Sequence, residues 1–158
     1  MSGAMSNAAF TVVRSANLEA SLDRAALYAE EQAHRLVTPE HLLLALTEDG
    51  DAAAVLKASG VDIVRLRHEI ADFVGRLTDR IANDGNARTA ISTELRRILD
   101  AATAAAAQSR RPTIDGAIVL AALVGEGQSP AAELLRAHGM TFEDAIRTLK
   151  GLAGAPAP

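Results

Sequence analysis

The chain writes one pattern twice, and this limits its folding more than any other feature. Leu18, Leu22, Ala25 and Ala29 recur as Leu95, Leu99, Ala102 and Ala106, 77 residues later, and Ala45-Leu46 recurs as Ala122-Leu123 at the same spacing. Val55, Leu56, Ala58 and Gly60 recur as Leu134, Leu135, Ala137 and Gly139 at a spacing of 79, the two extra residues falling in the loop GEGQS. Each copy is one supersecondary unit. In a chain of 158 residues neither copy can bury a sufficient core alone. The two are therefore expected to pack against each other as one pseudo-symmetric domain.

The period within each copy is helical. Leu18, Leu22, Ala25, Ala29 and Ala33 fall on one stripe, with Asn17 as the expected cap. Thr38 is a good N-cap, and Pro39 sits at the first helical position, where its missing N–H costs nothing. Leu42 to Leu46 are apolar nearly all round, so this second helix is expected in the middle of the domain. EDGD breaks it. A third helix is expected over Ala52–Ser59, with Gly60 as a left-handed cap, and a fourth from Asp62 as cap through Ile63–Val74. The second copy repeats the order: Ser92 caps a fifth helix, Asp115 a sixth, Ser129-Pro130 a seventh that ends at Gly139, and Thr141 an eighth that runs to Lys150. The run Ala102–Ala107 belongs in a packed helix, since alanine is the best helix former.

The expected fold is all-α: two four-helix repeats in one compact domain. Its parts are an N-terminal arm over 1–16, a double repeat over 17–150 and a tail over 151–158. Within the repeat region, 17–75 is the first copy, 76–91 a polar linker with Asn-Asp-Gly-Asn, and 92–150 the second copy. Aromatic residues make up only 3%, so the core is aliphatic and alanine-rich, which suits closely packed helices.

Composition narrows the function. There is no cysteine, which removes disulfides, thiolate metal sites and cysteine nucleophiles. Net charge is −4, and Arg96-Arg97 and Arg110-Arg111 have no aromatic neighbours, so nucleic acid is not an expected partner. The charge is uneven, net −5 over 1–79 and net +1 over 80–158. The start lacks the basic and apolar regions of a signal peptide, and no run approaches the ~18 apolar residues of a membrane span. The expectation is a cytoplasmic protein with no membrane partner. The histidines are His34, His41, His68 and His138. No H-E-x-x-H spacing and no nucleophile elbow is present, so neither a metal nor catalysis is expected. His34 and His41 meet if the first two helices pack at their junction, and a hydrogen bond there is the expected role of His41.

The pattern L-x-x-S-L-x-x-A, then TPEHLLLAL, then A-A-x-V-L-x-x-x-G-V-D, with a degenerate second copy, resembles the N-terminal repeat domain of Clp AAA+ unfoldases, the ClpA type above all. The likeness spans Leu18 to Lys150, strongest in the first copy. It implies a non-enzymatic, cofactor-free module that receives protein substrates or an adaptor of the ClpS type for a Clp ring, in cis or in trans. No G-x-x-x-x-G-K-S/T motif occurs, so the resemblance is to the receptor and not the motor. The alternative is a stand-alone helical scaffold that regulates an assembly of its own. The resemblance also points to residues. The acid matching Glu40 contacts ClpS in ClpA-type domains and phosphorylated arginine in ClpC-type domains. The matching place in the second copy is Ala117, so at most one such site carries over. Arg97 and Ser92 align with an arginine and a threonine of the adaptor surface. Arg35 stands where the ClpA type has an acidic contact, which reverses the charge. From the residues alone, Glu40 is favoured in a helix first turn by the helix dipole, Ser92 is a cap and Arg97 lies on a solvated face.

Overall fold

The computed structural model describes residues 12–78 and 89–153. Eight helices account for most of them. The first copy holds α1 (Ala16–Glu31), α2 (Pro39–Leu46), α3 (Gly50–Ala58) and α4 (Ile63–Gly75). The second holds α5 (Thr93–Gln108), α6 (Gly116–Glu126), α7 (Pro130–Ala137) and α8 (Phe142–Ala153). Four two-residue strands join them: β1 (Val13–Arg14), β2 (Leu36–Val37), β3 (Ala90–Ile91) and β4 (Thr113–Ile114). The all-α expectation holds for the helices, and the strands are an addition to it.

The caps follow the sequence closely. Thr38, Asp62, Ser92, Asp115 and Ser129 each accept the backbone N–H of the third residue beyond them. The Thr141 hydroxyl accepts the Asp144 N–H in the same way. Two starts differ from expectation. Ser15, not Asn17, caps α1 by accepting the Leu18 N–H at 3.0 Å. Asn17 lies inside the first turn, where its amide donates to Asp51 at 3.3 Å. Likewise α3 begins at Gly50 rather than Ala52, because Asp49 accepts the N–H groups of Asp51 and Ala52 at 2.9 and 3.0 Å. The acidic break is itself the cap. Gly60 and Gly139 take φ of 80° and 92°, as helix-ending left-handed residues.

The repeat spacing is obeyed by the backbone as well as by the side chains. Ala33 and Arg110, 77 residues apart, both turn left-handed at φ 57° and 56°. After each, the next N–H returns to the helix: His34 to the Ala29 carbonyl and Arg111 to the Ala106 carbonyl, both at 2.8 Å. The strands exchange partners between copies. β1 pairs in parallel with β4, Val13 opposite Thr113, and β2 pairs in parallel with β3, Leu36 opposite Ala90. Adding 77 to one register gives the other.

At the centre lie α2 and α6, which touch each other and helices of both copies. Seven of the eight α2 residues are buried, and buried side chains from both copies form one continuous hydrophobic cluster. Two polar contacts also bridge the copies. His138 on the C-cap of α7 meets Glu69 of α4 at 2.7 Å, and the Thr89 hydroxyl donates to the His34 carbonyl at 2.8 Å. Of the expected arm, linker and tail, residues 1–11, 79–88 and 154–158 lie outside the described set. The remaining parts include β1, β3 and the last turn of α8.

Candidate functional site

Thr38, Pro39 and Glu40 at the start of α2, Glu94 and Arg97 on the first turns of α5, and Glu126, Gln128, Ser129 and Pro130 around the α6–α7 loop line a cleft of about 340 Å³. Glu40 and Arg97 thus meet on one surface, though they come from different copies.

Glu40 is only 5% exposed. Its Oε2 accepts the Ala131 N–H of α7 at 2.9 Å, across 91 residues of chain. A carboxylate at that position satisfies an orphan donor of the α7 N-terminus and complements its dipole. Burial holds the Glu40 carboxyl above its ordinary pKa. The Ala131 N–H pulls the other way, and the nearby Glu94 charge adds to the rise. Glu40 therefore forms the floor of the cleft and holds α7 in place, while Glu94 and Arg97 are exposed at its rim.

The α2 start is rigid for a second reason. The Thr38 hydroxyl faces the His41 N–H while the Thr38 N–H donates to His41 Nδ1 at 3.0 Å, a capping box with histidine in the place usually held by glutamate or glutamine. Because Nδ1 accepts, the His41 proton sits on Nε2, which donates to His34 Nδ1 at 2.8 Å. The two histidines meet at the α1–α2 junction as expected. Burial first, and the neighbouring His34 second, lower the His41 pKa to about 4, so its ring is neutral. No group of three histidine, aspartate or glutamate side chains converges as a metal site among the described residues.

Ser92 is buried, and its hydroxyl accepts the Leu95 N–H at 3.0 Å. It supports the first turn of α5 and does not line the cleft. Arg35 is exposed beside β2, where its carbonyl accepts the Ala90 N–H at 3.1 Å, and it too lies outside the cleft lining.

A larger feature was not anticipated. An apolar groove of about 370 Å³ runs along the second copy between α5 and α8, over α6. Ala101, Ala105 and Gly125 make it wide, and Phe142, Ile146 and Leu149, spaced at four and three residues, form one wall. Phe142 is 47% exposed and its ring covers Gly125, where an added Cβ would meet it at 2.8 Å. Arg111 marks one part of the groove edge and Glu126 another. Glu126 also lines the Glu40–Arg97 cleft, so groove and cleft share a border. The signal for the groove was a set of small residues, which reads equally well as helix propensity.

Comparison with known proteins places this geometry. The family model "Clp repeat (R) N-terminal domain" matches residues 14–138. A ClpA homolog protein of Fuscovulum blasticum is 34% identical over 144 residues, covering 90% of this chain and 18% of that protein. The chaperone protein ClpB of Corynebacterium diphtheriae is 35% identical over 113 residues, covering 68% of this chain and 13% of that protein. The chain thus spans less than a fifth of the length of either relative. The N-terminal domain of the ClpV1 ATPase from E. coli EAEC superposes with a TM-score of 0.75 at 20% identity, over 100% of this chain and 99% of that one. The ClpV N-domain in complex with a VipB peptide gives 0.72 at 20% identity, over 92% and 89%. With caps, turns and crossed strands repeating at one spacing, and with the family model spanning both copies, the chain belongs to the Clp repeat N-terminal domain family.

Proposed function

We propose that this chain is a protein-binding module without chemistry of its own, which receives peptide segments of substrates or of an adaptor for a Clp-type unfoldase ring, in cis or in trans. The observation that carries this reading is the border shared at Glu126 by an open apolar groove and a charged cleft. An amphipathic helical segment suits such a surface: its apolar stripe lies between α5 and α8, and its polar flank meets Arg97, Glu94 and Glu126. The ClpV neighbour solved with a VipB peptide supports the same class of ligand. An adaptor of the ClpS type would read the cleft rim, with Arg97 as the cationic contact and Glu40 holding the α7 wall behind it. Ser92 and Arg35 take no direct part in this reading, the first because it is spent as a buried cap and the second because it lies off the cleft.

The test is the binding of a short fluorescein-labelled helical peptide with one leucine stripe, followed by anisotropy. Ala105→Glu puts a charge into the groove and is expected to weaken binding at least tenfold while the melting temperature is kept. Arg97→Ala is expected to lower the association rate and its dependence on salt, because rim charges act mainly on encounter. Binding that neither substitution alters would overturn the assignment of this surface.

A further inference from the structure

The pseudo-symmetry allows the groove to be compared with its own counterpart. Subtracting 77 or 79 from its lining places Arg24, Tyr28, Glu48 and Arg67 of the first copy where the second has Ala101, Ala105, Gly125 and Ile146. The backbones at the two places follow the same plan, since helix order, caps, left-handed turns and helix packing repeat. Only the side chains differ, and in the first copy they reach across the trough. Arg24 Nη2 donates to the Ser21 hydroxyl at 3.0 Å and to the carbonyl of Ala45, a floor residue, at 3.2 Å. The Tyr28 hydroxyl donates to Glu48 at 3.2 Å, which closes the span from α1 to the end of α2. From α4, Arg67 donates to the Thr47 hydroxyl at 3.2 Å and to the Thr47 carbonyl at 3.4 Å. Tyr28 feels the charges of Glu48, Arg24 and Arg67 together, so the four groups share one patch.

We infer that Arg24, Tyr28, Glu48 and Arg67 restrict peptide capture to one groove per chain, by filling with their own polar side chains the first-copy counterpart of the α5–α8 groove. The floor beneath them remains apolar: Leu44 and Ile63 are only partly buried, against Ala45 and Ile70. An apolar peptide stripe would have to displace two cations and a carboxylate before reaching that floor, and would leave their hydrogen-bonding partners unpaired. In the second copy nothing polar stands in its way. The inference rests on the α5–α8 groove being the peptide site.

The test uses the same labelled leucine-stripe peptide on the full chain, with stoichiometry read at saturation. The parent chain is expected to bind one peptide. The opened variant Arg24→Ala/Tyr28→Ala/Glu48→Gly/Arg67→Ile, which copies the second-copy residues, is expected to bind two. The closed variant Ala101→Arg/Ala105→Tyr/Ile146→Arg is expected to bind none. A folded opened variant that still binds one peptide overturns the inference while leaving the groove itself standing. A parent chain that binds no peptide, or a folded closed variant that binds as the parent does, overturns the groove reading and the inference with it. Should the opened variant fail to fold, methyl NMR of the parent decides. Peptide is expected to shift Ala105 and Ile146 and to leave Leu44 and Ile63 unmoved, and shifts of equal size at both places would overturn the inference.

Discussion

At the scale of single residues, His41 and Glu40 set opposite pH responses within two positions of each other. His41 has a folded pKa near 4 against an ordinary value of 6.5. Between these values the unfolded chain binds a proton that the folded one refuses. Stability contributed by the neutral ring is therefore complete above pH 6.5 and is lost as pH falls towards 4, by on the order of 3 kcal/mol. Glu40 runs the other way. Its folded pKa is raised, so its contribution is lost as pH rises from its unfolded value through its folded one. Thermal melts from pH 7 to 4.5 check the first statement: His41→Gln keeps an acceptor for the Thr38 N–H and does not titrate, so its curve is expected to be flatter than that of the parent. For Glu40, glutamine retains an acceptor for the Ala131 N–H, and Glu40→Gln is expected to melt as the parent does. Glu40→Ala leaves that buried N–H unpaired and is expected to cost about 1–3 kcal/mol. Loss of peptide binding in a thermally intact Glu40→Gln would show that the charge itself meets the partner.

At the scale of elements, what the sequence revealed depended on the distance over which each signal acts. Caps at Thr38, Asp62, Ser92, Asp115 and Ser129 were readable because a cap and its N–H acceptor lie within three residues. The cap of α1 was misplaced because Asn17 stands directly before the first apolar residue, whereas Ser15 stands as far before Leu18 as Ser92 does before Leu95. The repeat itself held the correction. The strands are two residues long and owe their existence to a partner in the other copy, so no local period announces them. Glu40 was readable as a first-turn acid, but the helix it serves is α7 and not its own. The groove is defined by small side chains, which carry no signal of what they leave open. Close approach between elements is similarly silent. Gly116 at the start of α6 lies against the buried Asp49 carboxylate, and an added Cβ would stand 2.6 Å from its Cγ. Asp49 cannot yield, because it accepts the Ser21 hydroxyl at 2.7 Å as well as two N–H groups of α3. Gly116→Ala is expected to cost about 1–3 kcal/mol by overpacking, against little change for Gly50→Ala, which has open space around it. Denaturant unfolding of the two variants gives the comparison.

At the scale of the whole molecule, the single shared core makes each copy a poor domain by itself. Leu43 is fully buried in the central α2, and Leu43→Ala is expected to cost about 2–5 kcal/mol. A fragment of residues 1–82 is expected to show no sharp thermal transition, since it lacks α6 against α2 and α7 against Glu40. A cooperative melt of that fragment, followed by circular dichroism, would contradict mutual burial. The crossed strands have a consequence during synthesis. Val13 cannot find Thr113 until 100 further residues have been made, and Leu36 waits 54 residues for Ala90. On the ribosome the first copy is complete in sequence long before either pairing can close, and its apolar face stays uncovered for that interval. The helices supply local contacts that form quickly, while the strand pairs raise the contact order of the last step. A receptor for unfolded segments thus passes through a stage in which its own first half is one.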